Sequence, residues 1–339
     1  TYDWEVKRVL PRINEEINEE WISDKTRYAC DGLKNQRLDT PFIKNNGNFE
    51  EISWQDAYKK IKEKISTTSP DKIVGLTGDM TNMETMFAVK NLFQKTLNSS
   101  YLDSRAKHTY INFENRSNYL FNSSIEGIEE SDLILLIGTN PRFEATILNS
   151  RIRKTYLKNK TEIFSLEDVG DLTYPYKVLE NNSKVIDKII KNEHNLSNKI
   201  ASAEKPIIIL GQSILNSNNG AYIFEELKRY LTSINKIDDN WNALNILSTD
   251  ASAVGSYDLG IFSSNNGSNK TLKTIEDNEA EIIFLFGQDK LKFKKNNEFI
   301  IYIGSHGDLG AGMADLILPG AAYTEQDGYF TNLEGTLQK

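Results

Sequence analysis

A single cysteine, Cys30, leaves no partner for a disulfide within the chain, a composition that fits a reducing compartment. An iron–sulphur cluster usually takes four cysteine thiolates and a structural zinc four Cys/His ligands. One cysteine and three scattered histidines (His108, His194, His306) are too few for either. No apolar run approaches the ~20 residues that span a bilayer, and no signal-peptide pattern opens the chain, so direct membrane insertion is not expected. Basic excess is missing as well. A net charge of −8 argues against general nucleic-acid binding, because nothing is left over to neutralise phosphates. The local cluster Lys290–Lys295 reads as a solvated strand or loop edge. Known catalytic patterns are also lacking: no GxGxxG, GxxxxGK[ST] or G-x-S-x-G occurs. Ser305-His306 has no supporting third group in sequence, and Glu325, Asp327 and Glu334 are carboxylates without a known geometry.

What is present is a globular composition, 39% hydrophobic with 15 Tyr and 15 Phe in 339 residues, enough for two or three domains. The chain starts at Thr1 and stops at Lys339 inside a patterned segment, which suggests a portion of a longer protein. Its clearest unit is Ser131–Arg153. The apolar run Leu133–Ile137 is too short for a buried helix and is closed by Gly138-Thr139-Asn140-Pro141, so it reads as a strand covered on both faces. Asn140 can cap the following helix, Pro141 suits its first position, and Glu144 favours its positive end. Phe143, Ile147, Leu148, Ile152 and Tyr156 fall on one face of that helix, with Arg151, Arg153, Lys154 and Lys158 toward its C-terminus.

Similar runs recur at 72–76, 162–166, 206–210, 281–286, 299–303 and 314–318, most of them stopping in a glycine and polar residues. Helical patterns lie at 54–65 behind Ser53, and at 82–97, 183–191 and 221–231; Glu15–Trp21 could form one more. Strands alternating with helices imply right-handed crossovers and parallel sheets, here in two layers. The expected division is an irregular segment 1–50, a first α/β domain 51–180 and a second 181–339. Ser263–Lys270 reads as a mobile loop. Loops at strand ends that open onto helix N-termini can cradle phosphates, and 136–141 and 210–213 are the candidates. Glycine used simply for the turn is the competing reading.

The Ser131–Arg153 unit resembles a signature of the large iron–sulphur subunit of the bacterial respiratory NADH–quinone oxidoreductase, complex I, in its alphaproteobacterial or mitochondrial branch. Trp4–Val9 and Asn14–Arg27 resemble the stretch just after that subunit's cluster-binding region. Asp31–Leu33, Arg37–Pro41, Ile52–Ala57 and Ala314–Gln338 match the wider molybdopterin-oxidoreductase family. The resemblance implies a Rossmann-like, formate dehydrogenase-like α/β fold, retained without its chemistry. In active relatives a Cys, selenocysteine or Ser before a His binds the metal. Here the matching stretch, Asp103–His108, places Lys107 at the ligand position beside His108, and an ammonium cannot replace a thiolate. Thr336 stands where the family has an arginine suited to phosphate.

The implied site is therefore vestigial: Gly138, Thr139 and Asn140 as the pterin loop, with Lys107 and His108, no catalytic or metal-binding residues and no molybdenum. Clusters of the 2Fe–2S and 4Fe–4S types are implied on a preceding region outside this chain. Implied partners are that region and other peripheral-arm subunits, especially on the flavin-bearing side, at the cytoplasmic face of the inner membrane or its mitochondrial equivalent. Two alternatives remain: an active molybdopterin oxidoreductase domain, or a nucleotide-binding module.

Overall fold

The computed structural model describes residues 4–180, 182, 184–264 and 267–339. Its strands are β1 (Phe42–Asn45), β2 (Asn48–Glu51), β3 (Ile73–Thr77), β4 (Leu102–Asp103), β5 (Leu133–Ile137), β6 (Glu162–Ser165) and β7 (Lys177–Val178). They continue with β8 (Pro206–Gly211), β9 (Leu244–Leu247), β10 (Ile282–Phe286), β11 (Phe299–Gly304), β12 (Leu316–Pro319), β13 (Phe330–Thr331) and β14 (Leu337–Gln338). The chain forms two compact units. The first holds Thr1–Cys30, Thr109–Thr249 and Leu333–Gly335; the second holds Asp31–His108, Asp250–Asn332 and Thr336–Lys339.

The first unit is built on a parallel sheet ordered β7-β6-β5-β8-β9. Counted from β5, this is the sequence third, second, first, fourth, fifth. The order reverses between β5 and β8, the point where doubly wound sheets open a crevice. Every residue of β5 and β8 is buried, as a strand covered on both faces requires. Ile134, Leu136, Ile207 and Ile209 pack on one face against Leu148 and Ile152 of the helix Thr146–Asn159.

The second unit has the other doubly wound order: counted from β3 its five parallel strands run second, first, third, fourth, fifth, with the reversal between β3 and β10. Its sheet runs β2-β1-β12-β11-β10-β3-β4, with β12-β11-β10-β3-β4 all parallel and the β1–β2 hairpin antiparallel at one edge. Period-two alternation is plain. Ile73, Ile282, Phe284, Ile301 and Leu316 face Met86, Val89 and Phe93, whereas Val74, Ile283, Leu285, Ile300 and Ile317 face Leu272, Ile275 and Leu291. The crossover from β10 to β11 contains no helix. Residues Lys290–Lys295 lie in that crossover as an irregular stretch, with Leu291 buried and the Lys295 Nζ 2.6 Å from Asp315.

These units differ from the expected split at residue 180/181. The β5–β8 ladder crosses that position, and β3 pairs with β10 rather than with a strand of its own half. Partner choice across such spans depends on which long-range pairing buries both faces, and no local pattern records it. Four further expectations are corrected. Residues 42–51, taken within an irregular segment, form a hairpin whose turn has Asn46 and Gly47 at positive φ (51° and 87°), the geometry Asn-Gly favours. Glu15–Trp21 is not a helix; the Asn14 carbonyl gathers the amides of Ile17, Asn18 and Glu19 into a tight turn. The unit after Gly138 is two helices, Pro141–Glu144 and Thr146–Asn159, because Ala145 leaves the helical region at φ −149°. Phe143 therefore leaves the shared face and is 77% exposed, and Arg151 is buried instead. Of Ser263–Lys270, residues 265 and 266 lie outside the described residues, as does Ser183 of the expected helix. The rest of that tract is tied down, Ser263 to Asp103 and Gly267 and Ser268 to Arg105.

Candidate functional site

The loop closing β5 sits at the switch point of the first unit. Gly138 turns the chain at φ +62°, and its carbonyl lies so close to Gly211 that a Cβ there would collide with it. The Gly138 carbonyl also accepts from the Ser213 hydroxyl at 2.6 Å. Asn140 caps the next turn by accepting from the Arg142 amide at 3.2 Å, while its own amide side chain donates to the Val169 carbonyl. The two donors that would face an anion here are the Thr139 hydroxyl and the Asn140 amide. Both bind Glu144: Thr139 Oγ1 to Oε2 at 2.7 Å and the Asn140 N–H to Oε1 at 3.2 Å. The protein's own carboxylate thus engages both of these donors. Arg142 is likewise engaged, donating to the Asp171 carbonyl and carboxylate at 2.7 Å. The Thr173 amide, and then Arg142, hold the Asp171 carboxyl below the usual range.

The equivalent point of the second unit lies between β10 and β3. Gly287 again has φ +62°, and its carbonyl excludes any side chain at Gly78. Gln288 donates to the Thr77 carbonyl at 3.0 Å and accepts from the Lys290 amide at 2.8 Å. Lys290 Nζ lies 2.7 Å from both Asp79 and Asp250. Burial works to lower its pKa, but the two carboxylates outweigh burial and raise it. Asp289 accepts from the Gly310 amide at 2.9 Å and from the Tyr302 hydroxyl at 3.0 Å, and burial pushes its carboxyl above the usual range. Both switch points are filled by the chain itself.

Lys107 and His108 lie in the second unit and are exposed, whereas Gly138, Thr139 and Asn140 belong to the first. No one unit brings the five together. His108 Nε2 is 2.9 Å from Glu276 Oε2. Thr336 donates its amide to Asn332 at 2.8 Å in the turn before β14, and Cys30 is buried in the first unit. His306 takes Ser305 Oγ at Nδ1 (2.9 Å) and the Leu33 carbonyl at Nε2 (3.1 Å). Glu325 is held below the usual carboxylate range first by the Ala322 amide and then by Arg37, while Glu334 accepts from the Ile125 amide. Among the described residues, no three His, Cys, Asp or Glu side chains gather as a metal site. An ammonium and a carboxylate-paired imidazole do not fit a metal held through a thiolate, and the 138–140 loop, in the other unit, has its donors on Glu144. One cysteine does not fit a four-thiolate cluster.

Two features escaped sequence reading. Glu144 fills the loop rather than merely favouring a helix dipole, and its spacing of five from Thr139 is the signal that was there. Arg151, read as a helix-end charge, is buried. It donates to Glu129 at 2.6 Å and to the Glu15 and Ile17 carbonyls, clamping residues 15–17 within the first unit.

Residues 37–339 match the family model described as molybdopterin oxidoreductase. Residues 2–31 match one described as NADH-ubiquinone oxidoreductase NDSU1/NuoG-like, 4Fe-4S domain. The chain is 41% identical over 335 residues to the G-type subunit of the NADH-quinone oxidoreductase of Rickettsia bellii, covering 98% of this chain and 48% of that protein. It is 39% identical over 348 residues to the NADH-ubiquinone oxidoreductase 75 kDa subunit of Reclinomonas americana, covering 98% of this chain and 50% of that protein. The mitochondrial 78 kDa subunit of Candida albicans is 40% identical over 343 residues, covering 98% of this chain and 46% of that protein. The chain thus spans about half the length of the curated relatives it matches. Among solved structures, acetylene hydratase from Pelobacter acetylenicus shares the fold, with a TM-score of 0.54 at 12% identity over 96% of this chain and 60% of that one. This chain belongs to the molybdopterin oxidoreductase family, and its curated relatives at about 40% identity are G-type subunits of NADH-quinone oxidoreductase and the corresponding 75–78 kDa subunits.

Proposed function

We propose that this chain is a structural, non-catalytic part of a subunit of the proton-translocating NADH–quinone oxidoreductase, an enzyme that carries electrons from NADH through flavin and iron–sulphur clusters to quinone. The observation that carries the reading is Glu144 seated on the Thr139 and Asn140 donors, where a cofactor phosphate would bind. Lys107 at the expected ligand position supports it, because an ammonium has no lone pair to offer a metal until it is deprotonated. The chain alone is inactive on this reading, and it binds neither molybdenum nor pterin.

Its role is to pack. Residues 4–30 expose Trp4, Leu10, Ile13, Trp21 and Tyr28, a run of large apolar side chains that is costly to leave in water. These residues fall within the match to a 4Fe–4S domain, so the proposed occupant of that surface is the cluster-bearing polypeptide, with peripheral-arm subunits on the flavin-bearing side as further partners. Among the described residues no helix is long and apolar enough to cross a membrane, in keeping with a peripheral place at the cytoplasmic or matrix face. Metal analysis and oxidised-pterin fluorescence of the purified chain test the reading. Neither stoichiometric molybdenum nor pterin is expected, and finding either one overturns it.

A further inference from the structure

We infer that an open cleft in the second unit, beside the edge strand β4, binds a phosphorylated sugar, either free or as the ribose phosphate of a mononucleotide. The cleft has a volume of about 720 Å³, within the ~300–1,000 Å³ usual for small-molecule sites. Leu102 and Ser99 are among the buried residues lining it. Gln94 lines it from a six-residue π-turn, Leu92–Leu97, that follows the helix Met83–Asn91, and Asn98 from the residue that ends that turn. Such widened turns recur where helices border functional sites. Phe262, Ser263 and Lys270 line it from the segment after Gly260.

Ser263 and Gly267–Asn269 are fastened to β4 and Arg105. The Asp103 carboxylate, fully buried against Arg105 at 2.7 Å, accepts from the Ser263 amide at 3.0 Å and from its hydroxyl at 2.9 Å. Arg105 donates to the Gly267 carbonyl at 2.7 Å and to the Ser268 carbonyl at 3.1 Å, and Asn269 donates back to the Arg105 carbonyl at 2.9 Å. A ligand entering the cleft would have little ordering of these walls to drive.

The lining chemistry selects the ligand. The chain has 48 acidic residues and a net charge of −8, yet among the described residues no acidic one lines the cleft. Lys270 Nζ has no carboxylate partner among the described residues, and the side chains of Gln94, Asn98 and Ser100 have no hydrogen-bond partner there either. An unpaired ammonium suits a phosphate, and amides with hydroxyls suit the alternating donors and acceptors of a sugar. A cation would meet repulsion without any compensating carboxylate, and an apolar ligand would strip water from groups it cannot replace.

Calorimetric titration of the full chain with ribose 5-phosphate, AMP, ribose and inorganic phosphate tests this. Saturable binding of ribose 5-phosphate or AMP is expected, each tighter than inorganic phosphate. AMP binding more tightly than ribose 5-phosphate identifies the nucleotide, and equal binding identifies the free sugar phosphate. Lys270→Ala should weaken the phosphorylated ligand roughly tenfold, the worth of one charge-assisted hydrogen bond, while leaving ribose unchanged. Asn98→Gly, which keeps the positive φ of 52° without strain, with Gln94→Ala should weaken both sugars. These side chains are exposed, so an unchanged melting temperature confirms that each variant folds. No saturable binding at millimolar concentration, affinity no better than inorganic phosphate, or binding indifferent to Lys270→Ala each overturns the proposal.

Discussion

The two sheets differ in strand order and draw on very different chain, yet they share one device at the point where the order reverses. In the first unit β5 to β9 follow one another within 133–247, and a helix covers the step from β5 to β6. In the second, β3 and β4 come from the early segment and β10, β11 and β12 from the late one, and the β10–β11 crossover has no helix at all. What the sheets keep in common is a glycine at φ +62° whose carbonyl leaves no room for a side chain on the neighbouring strand: Gly138 against Gly211, and Gly287 against Gly78. The close approach at the reversal is evidently separable from the strand order and from the way the chain supplies the strands. The fillings differ as well. One carboxylate, Glu144, closes the first switch point, whereas a lysine between two aspartates closes the second.

The largest effect separating the units should come from Asp103→Ala. It takes the carboxylate away from the buried Arg105 guanidinium, which then has no compensating negative charge from Asp103, at a cost of about 3–5 kcal/mol. Urea unfolding combined with hydrogen exchange should show the loss in β3 and β4 while β5 and β8 stay protected. Equal loss in both sheets would remove the distinction between the units. Gly78→Ala and Gly211→Ala come next, each about 3 kcal/mol or more, because each drives a methyl group into a backbone carbonyl. If either variant melts like the parent, the shared glycine device is not what sets the strand spacing. Glu144→Gln should cost about 1–2 kcal/mol, since a neutral amide is a weaker acceptor for the Thr139 hydroxyl and the Asn140 amide. Solution NMR should place its shifts in 138–144 and leave 287–290 unmoved.

The smallest effect is one of sign in pH. Glu129 is partly buried, which works to raise its pKa, but Lys154 and Arg151 prevail and hold it below the ordinary value. Its stabilising contribution is present above the unfolded value of about 4.3 and is lost as pH falls through the lower folded value. Asp289 is raised, chiefly by burial. Its contribution is full below the unfolded value of about 3.9 and is lost as pH rises through the higher folded value. Glu129→Gln should therefore flatten the acid fall in melting temperature, and Asp289→Asn should flatten a decline on the rising side. Profiles that shift in the same direction would contradict the assigned signs.

Much of the architecture was legible in the sequence because buried parallel strands announce themselves. Leu133–Ile137 is found as read, and Pro206–Leu210 and Phe299–Ile303 each gain a single residue. The Asn46-Gly47 hairpin was also written there, in the dipeptide that tolerates two positive φ angles, and it went unread inside a stretch taken as irregular. Other features had no local trace. Whether β3 pairs with β4 alone or also with β10 is decided by burial across the intervening chain. The break at Ala145, which exposes Phe143 and aims Glu144 back at Thr139, depends on packing that a helical period cannot encode. For the candidate site, Gly138, Thr139 and Asn140 were correctly placed on a strand-end loop, but the identity of the group filling it required the fold.

The second unit's divided origin also bears on how the protein is made. The Lys72–Glu281 ion pair closes 209 residues of chain, and β3 meets its neighbour β10 only across that interval. During synthesis β3 and β4 leave the ribosome with one edge of their future sheet absent, and all five strands of the first unit emerge before β10 does. The first unit can complete its sheet while the nascent chain still holds Ile73–Thr77 with an uncovered apolar edge. Such an edge invites pairing with other chains, and non-local sheets close slowly. Chaperone dependence of this protein should therefore concentrate in the interval between the emergence of β3 and that of β10.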